Sequence, residues 1–476
     1  MTRPLAVAVL GAGISGLSAA FRLRERLPAG SAVDVYEAGA AVGGTIRSIE
    51  ALGFRVEGGP NGFLDGKPDT LDLVQALGLE HRLIRALPEA ATRWVLRRGR
   101  LVALPASPPA FFRSPLLSWS GKLRLVCEAL LPRRRGDADE SVAAFVRRRF
   151  GRETLEALID PFVSGVFAGD PERLSLRSAF PRLAELEATY GGLIRASFAL
   201  RRARKLLPAS APSGGGAALE RADAPSAGPA GRLTSLRGGM SELTLALAAS
   251  LGSPGAVTAS VSTGRRAVGL VRDDERWTVR FEGGEATVDH VVLAMPAAAS
   301  AALLWPLAPE SAAALDAIPY AAVSVLALGF RRDQVAHRLD GFGFLVPSVE
   351  QRPLLGCLFD SSVYEERAPE GHVLLRVMVG GARRPELALA HEDKLVASVR
   401  AELDPLLGLQ GAPALSHLVR WERAIPQYTL GHAERVAAVQ AGLPPGLTVA
   451  GNVLNGVGVN DCARDAHRVV DAVIRR

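Results

Sequence analysis

Three glycines near the start of the chain have the spacing of a phosphate-binding turn. Gly11, Gly13 and Gly16 stand in GAGISG, after the apolar run 5–10 and before a segment with helical spacing. The first glycine of such a turn permits the tight bend, the second lets the backbone approach a pyrophosphate, and the third allows close helix–strand packing. The helix N-terminus then faces the phosphates. The predicted binding residues of this turn are Gly11, Ala12, Gly13, Ile14, Ser15 and Gly16.

An acidic residue follows this turn at the distance of a ribose-binding carboxylate. Glu37 ends the alternating, strand-like segment 32–38, about 20 residues beyond the glycine turn. A strand, a glycine turn, a helix, a second strand and an acid in this order predict a dinucleotide-binding βαβ unit.

A second glycine-rich segment, AGNVLNGVGVNDCARDA at 450–466, lies near the other end of the chain, before a helical pattern. We predict that this helix begins near Asp461, with Asn460 or Asp461 as its N-cap. Its N-terminal amide groups would favour negative charge on a ligand beside it.

A double glycine indicates which dinucleotide the unit binds. Gly43 and Gly44 follow Glu37 closely, with Arg47 after them in VGGTIRS. This element resembles the flavin amine oxidase and desaturase superfamily, many members of which have a basic residue where Thr45 stands. The resemblance implies FAD as cofactor and an FAD domain completed by the C-terminal strand and helix. The further FAD-binding residues that it implies are Glu37, Gly43, Gly44, Thr45, Arg47, Gly59, Pro60, Asn61, Trp421, Gly451, Asn452, Gly458, Val459 and Asn460.

Five longer segments narrow the resemblance to the oxygen-dependent protoporphyrinogen oxidases, most closely the myxobacterial form. The segments are VEGGPNGFL (56–64), LPASPPAF (104–111), DGFGFLVPS (340–348), IPQYTLGH (425–432) and GNVLNGVGVNDCA (451–463). The resemblance implies FAD-dependent, six-electron oxidation of protoporphyrinogen IX to protoporphyrin IX in haem biosynthesis. Dioxygen would accept the electrons and be released as hydrogen peroxide.

The same resemblance assigns substrate-positioning roles. Arg93 would pair with a propionate, which a guanidinium can grip through two hydrogen bonds. Phe342 would pack against a pyrrole ring, and Gly343 would leave room for the macrocycle. Leu345 and Met378 would form apolar walls. Asn61 would be a polar neighbour of the flavin. Without the resemblance, the sequence indicates only a turn-stabilising asparagine at this position.

No acid or base and no metal site is predicted. The eight histidines of the chain are scattered, without the spacing of a metal site or a catalytic triad. The pyrrole nitrogens of the substrate can themselves exchange protons with water, so the reaction does not require a protein base.

The predicted fold class is α/β, with an α+β substrate domain. A discontinuous Rossmann-like FAD-binding domain would comprise 1–90, 232–300 and 440–476, and a substrate-binding domain with a mixed sheet would comprise 91–105 and 301–439. The patterns from about 68 to 205 are mainly helical, and 106–205 is predicted as a helical membrane-docking domain. Residues 206–231 have low complexity and are predicted to form a flexible loop.

Charge and apolar residues together indicate a membrane surface. The net charge of the chain is +7, and residues 93–135 hold ten basic residues and one acidic residue. Large apolar residues are interleaved with them, a mixture typical of anionic membrane surfaces, although an ordinary solvated face has the same composition. We predict a cytoplasmic protein, peripheral on the inner face of the cell membrane, with ferrochelatase and a second copy of the chain as candidate partners. No nucleic-acid motif accompanies the charge.

Three alternatives stay open. One is another flavin oxidase or desaturase; against an amine oxidase, no lysine lies between Lys205 and Lys394. The second is oxidation of coproporphyrinogen III, whose four propionates would use Arg97, Arg98 and Arg100 beside Arg93. The third is a scaffold with an inactive flavin domain, which would purify without a flavin absorption band.

Overall fold

The computed structural model describes residues 3–134, 136–206 and 231–475, and of 203–206 only the backbone. Almost all of the predicted flexible loop 206–231 lies outside the described residues, as does Arg135. Within the described part, the strands are β1 (Ala6–Leu10), β2 (Ala32–Tyr36), β3 (Ser48–Ala51), β4 (Phe54–Glu57), β5 (Phe63–Leu64), β6 (Leu83–Arg85), β7 (Arg93–Arg97), β8 (Arg100–Ala103), β9 (Leu233–Leu236), β10 (Thr258–Ser262), β11 (Ala267–Asp273), β12 (Arg276–Phe281), β13 (Gly284–Val288), β14 (His290–Leu293), β15 (Tyr320–Arg331), β16 (Gly343–Leu345), β17 (Leu354–Leu358), β18 (His372–Gly380), β19 (Leu415–Pro426) and β20 (Leu447–Val449).

The helices lie between and after these strands along the described part of the chain. They are α1 (Ile14–Arg26), α2 (Pro68–Ala76), α3 (Pro108–Arg113), α4 (Trp119–Val126), α5 (Val142–Phe150), α6 (Arg152–Thr154), α7 (Asp160–Phe167), α8 (Leu176–Ala179), α9 (Pro181–Tyr190), α10 (Leu193–Leu206), α11 (Ser241–Leu251), α12 (Ala297–Leu304), α13 (Pro309–Asp316), α14 (Asp360–Val363), α15 (Pro385–Ala388), α16 (Glu392–Leu407), α17 (His432–Gly442) and α18 (Val459–Ile474). A π-helical turn, Leu155–Ile159, joins α6 to α7.

A parallel sheet unites segments that are far apart in the sequence. Its five strands have the order β10-β2-β1-β14-β20. The side chains of β1 alternate between two buried cores, one shared with α1, α11 and α18 and the other with α12, α13 and the meander β11–β13. Coverage of both faces explains why β1, and β14 after His290, are apolar rather than alternating.

A mixed sheet of seven strands forms the second layer, in the order β19-β15-β18-β17-β16-β7-β8. Neighbouring strands are antiparallel except β16 and β7, which are parallel. Helix α16 buries Leu395, Val399, Leu403 and Leu407 against one face, at the spacing of a single helical stripe. The opposite face is therefore available to the segments that contact the parallel sheet.

The helices α3–α10 lie between β8 and β9 in the sequence, and α5 and α7–α10 share a core to which Ile425, Tyr428 and Val457 also contribute. A fully buried ion pair between Arg149 and Glu128 joins α5 to the turn after α4. The Glu128 carboxylate also accepts the N–H groups of Leu193 and Ile194, both at 3.0 Å, at the start of α10. Because these contacts satisfy the buried charge, one acidic residue connects three helical segments.

These layers confirm the predicted α/β class with a discontinuous parallel sheet, a mixed sheet and a mainly helical region; the domain boundaries stay predictions.

The mainly helical pattern expected from 68 onward was wrong for 83–103, where β6, β7 and β8 lie. Arg98 and Gly99 have φ values of 53° and 74°. Two consecutive residues with positive φ make a hairpin turn whose twist matches the flanking strands.

Candidate active site

The glycines of the N-terminal turn serve two different purposes. A Cβ on Gly16 would lie 1.9 Å from the Gly11 carbonyl oxygen, and a Cβ on Gly11, which has a φ of 108°, would lie 2.5 Å from the Ala294 oxygen. Packing of the protein itself requires these two glycines. In contrast, Gly13 has an ordinary φ of −73°, and the nearest atom to a Cβ there is the Gly44 Cα at 4.0 Å. The turn therefore leaves open space beside Gly13.

This space lies at the N-terminus of α1. Gly13 is the N-cap of the helix, no side chain caps it, and its first turn holds no acidic residue. Glu37 binds the backbone of the turn: its carboxylate accepts the N–H groups of Ala12 at 2.9 Å and Gly39 at 2.8 Å. A carboxylate has about four acceptor sites, so ribose hydroxyls can still donate to Glu37.

The double glycine packs directly against the first turn. The Gly43 N–H donates to the Ala12 carbonyl oxygen at 2.8 Å. A Cβ on Gly44 would lie 3.2 Å from the Gly13 Cα. The side chain of Arg47 is exposed, with no ion-pair partner among the described residues. The two glycine elements therefore form one concave backbone surface with a free guanidinium beside it.

A backbone segment connects this surface to the mixed sheet; we call residues 57–61 the glycine strap. A Cβ on Gly59 would lie 1.9 Å from the Thr45 carbonyl oxygen. Trp421 Nε1 donates to the Gly58 oxygen at 2.6 Å, and Arg376 Nη1 donates to the Gly59 oxygen at 2.8 Å. The strap therefore crosses the face of the mixed sheet while touching the double-glycine turn. The predicted flavin neighbours Pro60 and Asn61 come next in it.

The C-terminal loop also reaches the first turn. A Cβ on Gly451, whose φ is 99°, would lie 3.0 Å from Ser15 Oγ on α1. Tyr428 Oη donates to the Asn452 carbonyl oxygen at 2.5 Å. The IPQY segment thus holds the loop in place. The C-terminal loop and the N-terminal glycine turn are therefore neighbours at the start of α1.

The predicted start and cap of the last helix were wrong. Helix α18 begins at Val459, two residues before the predicted start, and Gly458 is its N-cap. The Asn460 side chain is buried and donates to the Leu64 oxygen at 2.9 Å, so it joins α18 to β5 instead of capping the helix. The Asp461 carboxylate accepts the Gly458 N–H at 3.3 Å, from inside the first turn.

The described residues fit FAD. The space beside Gly13, the uncapped end of α1 and the exposed Arg47 suit a diphosphate, since helix N-termini and guanidinium groups both bind such anions. The glycine strap and the C-terminal loop extend the surface towards the mixed sheet. The individual cofactor contacts stay predictions.

Strand register places four predicted substrate residues on one face of the mixed sheet. Gly343 pairs with Arg93, Leu345 pairs with Gly356, and Gly356 pairs with Met378. Directly paired residues point to the same side, and so do residues two apart along a strand. Leu345 and Met378 are half-buried and Arg93 is exposed. This face therefore offers apolar walls with a cation at its edge.

The Arg93 guanidinium is free to bind a ligand. Its carbon lies 5.5 Å from the centroid of the Phe342 ring, and no carboxylate pairs with it among the described residues. Arg97, on the same side of β7, lies 3.8 Å from Glu153. Of these two cations, Arg93 is therefore the one that a ligand carboxylate can take without displacing a protein partner.

The backbone conformation and close packing at position 343 require a glycine. Gly343 has a φ of 133°, and a Cβ there would lie 2.2 Å from the Cys357 oxygen and 2.7 Å from the Leu358 Cα. The sequence led us to explain this glycine by room for a macrocycle. The structure shows that strand pairing with β17 alone demands it.

Two contributors to the site were missing from our sequence prediction. Gly165 on α7 lets the helix cover the sheet face, because a Cβ there would lie 2.9 Å from Leu345 Cδ2. Arg376 is 4% exposed and forms an ion pair of 3.0 Å with Asp360. A single arginine inside the apolar strand HVLLRVMVG was a signal for Arg376, whereas Gly165 had none.

Fold and site together define a flavin-dependent oxidoreductase: a dinucleotide turn on a parallel sheet, joined to an apolar sheet face with the Arg93 guanidinium at its edge. The chain belongs to the flavin-containing amine oxidoreductase family, whose model matches residues 14–474. This membership confirms the predicted flavin cofactor.

Two relatives match almost the whole chain. A coproporphyrinogen III oxidase of Propionibacterium freudenreichii is 34% identical, over 98% of this chain and 90% of its own length. Protoporphyrinogen oxidase 2 of Arabidopsis thaliana is 31% identical, over 98% of this chain and 93% of its own length. Among solved structures, a protein of Exiguobacterium sp. 255-15 has the same fold, with a TM-score of 0.82, 23% identity and 100% coverage of both chains. Similarity to the myxobacterial form in particular stays a prediction.

Proposed function

We propose that this chain oxidises protoporphyrinogen IX to protoporphyrin IX in haem biosynthesis, with dioxygen as electron acceptor and hydrogen peroxide as by-product. The observation that carries the proposal is the unpaired Arg93 guanidinium at the edge of the apolar face formed around Leu345 and Met378. A tetrapyrrole that carries propionates needs both features: apolar walls for its rings and a cation for a carboxylate. The relative from Arabidopsis, named for this activity, supports the proposal.

Each residue of the face has a positioning role in this proposal. Arg93 holds a propionate, Phe342 packs against the neighbouring pyrrole, and Leu345 and Met378 confine the macrocycle. Bound FAD supplies a two-electron acceptor, so the loss of six hydrogens takes three rounds with three molecules of dioxygen. Protons leave from the pyrrole nitrogens to water, and we assign no protein acid or base.

Coproporphyrinogen III is the second candidate substrate, because the relative from Propionibacterium is named for it. Its two additional propionates would need further free cations. Arg97 is already close to Glu153 at 3.8 Å, and Arg98 and Arg100 lie at the hairpin end of β7 and β8, away from Arg93. The position of these cations relative to Arg93 thus favours the substrate with fewer carboxylates.

We expect kcat/KM to be at least about tenfold higher for protoporphyrinogen IX than for coproporphyrinogen III, because each unpaired carboxylate carried into the site costs on the order of 1–3 kcal/mol. Oxygen uptake and porphyrin fluorescence on both substrates, in one flavin-quantified preparation, measure the ratio. The same preparation stripped of FAD is the control. An equal or reversed ratio would make coproporphyrinogen III the better assignment.

We further propose that the helical region docks on an anionic membrane. In α4 and the turn after it, Trp119, Leu123, Val126 and Leu130 are 72%, 65%, 48% and 78% exposed, at the spacing of one helical stripe. Phe198 on α10 is 67% exposed, and the nearby Arg195 donates to the Ala129 oxygen. Among the described residues, no helix combines the length and apolarity needed to cross a bilayer.

Basic residues border this apolar stripe. Arg113, Arg133 and Arg134 are exposed, and the Lys122 ammonium lies 4.7 Å from the Trp119 ring centroid. Apolar side chains that point outward next to cations suit the headgroup region of an anionic bilayer on the cytoplasmic side. Delivery of the product to a ferrochelatase and homodimer formation are further predictions from the resemblance.

Replacing both Leu123 and Leu130 with serine should weaken binding to anionic vesicles about ten- to hundredfold, because each leucine loses part of the 1.5–3 kcal/mol that its burial in lipid contributes. Vesicle co-sedimentation at fixed ionic strength measures the loss. Leu245→Ser on α11 is the matched control, since Leu245 is 58% exposed but lies outside the helical region. Identical vesicle binding by the double variant and the wild type would exclude this surface.

A further inference from the structure

A buried polar cluster supports the glycine strap. Its members Asn61, Asp360 and Arg376 are 9%, 0% and 4% exposed. Arg376 pairs with Asp360 at 3.0 Å and also donates to the Gly59 oxygen at 2.8 Å. Asn61 Nδ2 donates to Asp360 Oδ1 across a long hydrogen bond of 3.4 Å. The cluster thus connects β18 and the start of α14 to the end of the strap.

The second polar atom of Asn61 is left without a partner. Asn61 Oδ1 is buried, and it accepts no hydrogen bond from the described residues. An ionised carboxylate only accepts hydrogen bonds, so Asp360 orients the amide with its nitrogen inward and its oxygen away. A buried acceptor without a donor costs free energy and demands an explanation. A donor supplied by a bound molecule would provide it.

The position of Asn61 indicates which molecules can supply this donor. On one side, the strap touches Thr45 of the double-glycine turn through Gly59. On the other side, a Cβ on Gly62 would lie 2.6 Å from Tyr364 Oη, and Tyr364 belongs to the apolar cluster against which Phe342 packs. Asn61 therefore lies between the flavin-binding surface and the Arg93–Phe342 pair. Both a reduced flavin and a porphyrinogen offer N–H donors.

We propose that Asp360 is a positioning residue: with Arg376, it holds the Asn61 amide so that its oxygen accepts an N–H of the bound reduced flavin or of the tetrapyrrole. Burial raises the pKa of the Asp360 carboxyl, and the Arg376 guanidinium opposes that rise. The ion pair thus helps to keep Asp360 in the acceptor-only form that orients Asn61. The tetrapyrrole part of this inference rests on the proposed function, whereas the flavin part does not.

Two variants of the holoenzyme test the proposal. Asn61→Leu removes the acceptor at nearly constant size and without a change in charge. Asp360→Asn keeps the shape of the side chain but allows the Asn61 amide to rotate, because residue 360 can then donate. Asp289→Asn is the matched control: Asp289 is a buried carboxylate, 4% exposed, that pairs with Arg3 at 2.8 Å and lies outside the strap and its polar cluster.

The two-electron reduction potential of the flavin and the KM and kcat for a porphyrinogen are measured for all four proteins. If the donor is on reduced flavin, Asn61→Leu and Asp360→Asn should each lower the potential by about 30 mV. This shift is equivalent to a tenfold loss in the equilibrium constant for flavin reduction. If the donor is a pyrrole N–H, the potential should stay constant and KM should rise about tenfold. Asp289→Asn should change neither quantity.

The proposal is overturned if Asn61→Leu matches the wild type in both quantities, or if Asp360→Asn alone changes them, since Asp360 would then not act through Asn61. A shift of equal size in Asp289→Asn would also overturn it, because any buried carboxylate would then have the same effect. Dye-coupled potential measurements need no porphyrinogen. The flavin result therefore stands even if the wild type oxidises neither porphyrinogen, an outcome that would refute the proposed function separately.

Discussion

Replacing Arg93 with alanine should raise KM for protoporphyrinogen IX and lower kcat/KM about thirtyfold. The guanidinium has no carboxylate partner among the described residues and is packed near the Phe342 ring, so a propionate would find a pre-positioned donor pair. A charge-assisted hydrogen-bonded pair of this kind contributes about 2 kcal/mol, which corresponds to the expected change. Steady-state rates of porphyrin fluorescence, with FAD content quantified in each sample, measure the effect.

Two further variants separate this role from a general effect of charge. Arg93→Lys retains the charge but not the fork of donors, so it should recover only part of the loss. Arg100 is exposed on the adjoining strand β8, and Arg100→Ala should behave like the wild type. Wild-type kinetics for Arg93→Ala, or an equal loss for Arg100→Ala, would contradict a specific propionate contact.

Replacing Gly13 with alanine should weaken FAD binding by about ten- to a hundredfold without destabilising the apoprotein. A Cβ at this position has an ordinary φ of −73° and no protein atom closer than 4.0 Å, so the fold accommodates it. The methyl group would instead occupy the space that a diphosphate needs against the α1 N-terminus, and overpacking of this kind costs about 1–3 kcal/mol. Titration of apoprotein with FAD, together with apoprotein thermal unfolding, measures both quantities.

Two further glycine variants serve as controls for the Gly13→Ala result. Gly16→Ala should destabilise the apoprotein itself, because its Cβ would lie 1.9 Å from the Gly11 oxygen. Gly252→Ala should alter neither property, since Gly252 has a φ of −75° at the end of α11 and a Cβ there would meet only the Ala249 oxygen at 3.6 Å. If Gly13→Ala purifies with full FAD content and wild-type affinity, the turn does not hold the diphosphate.

The features predicted correctly from sequence are those that depend on local spacing. The turn around Gly11 and Gly16, the strand that leads into Glu37 and the double glycine at Gly43 are each encoded within a few residues. Their backbone needs are steric and local, so residue type alone reveals them. The resemblance of the double-glycine element added the flavin cofactor, which the family match confirms.

The errors arose where neighbours distant in the sequence decide the outcome. The region 83–103 forms strands because β7 finds β16 as a parallel partner, a pairing that local periodicity cannot show. Asn460 does not cap α18 because β5 offers its amide a carbonyl oxygen. Side-chain hydrogen bonds to remote backbone override local capping preference when the residue is buried.

By itself, therefore, the sequence determined the dinucleotide-binding unit and, through its family resemblance, the flavin cofactor; the propionate-binding site that it suggested stays a prediction. The tertiary structure alone decided that Arg93, Leu345 and Met378 share one sheet face, since register between strands sets which side chains point together. It also decided that, of Arg93 and Arg97 on this side of β7, Arg93 is the unpaired one, because Glu153 lies near Arg97. Charge balance inside a fold depends on three-dimensional proximity, and no spacing along the chain contains that information.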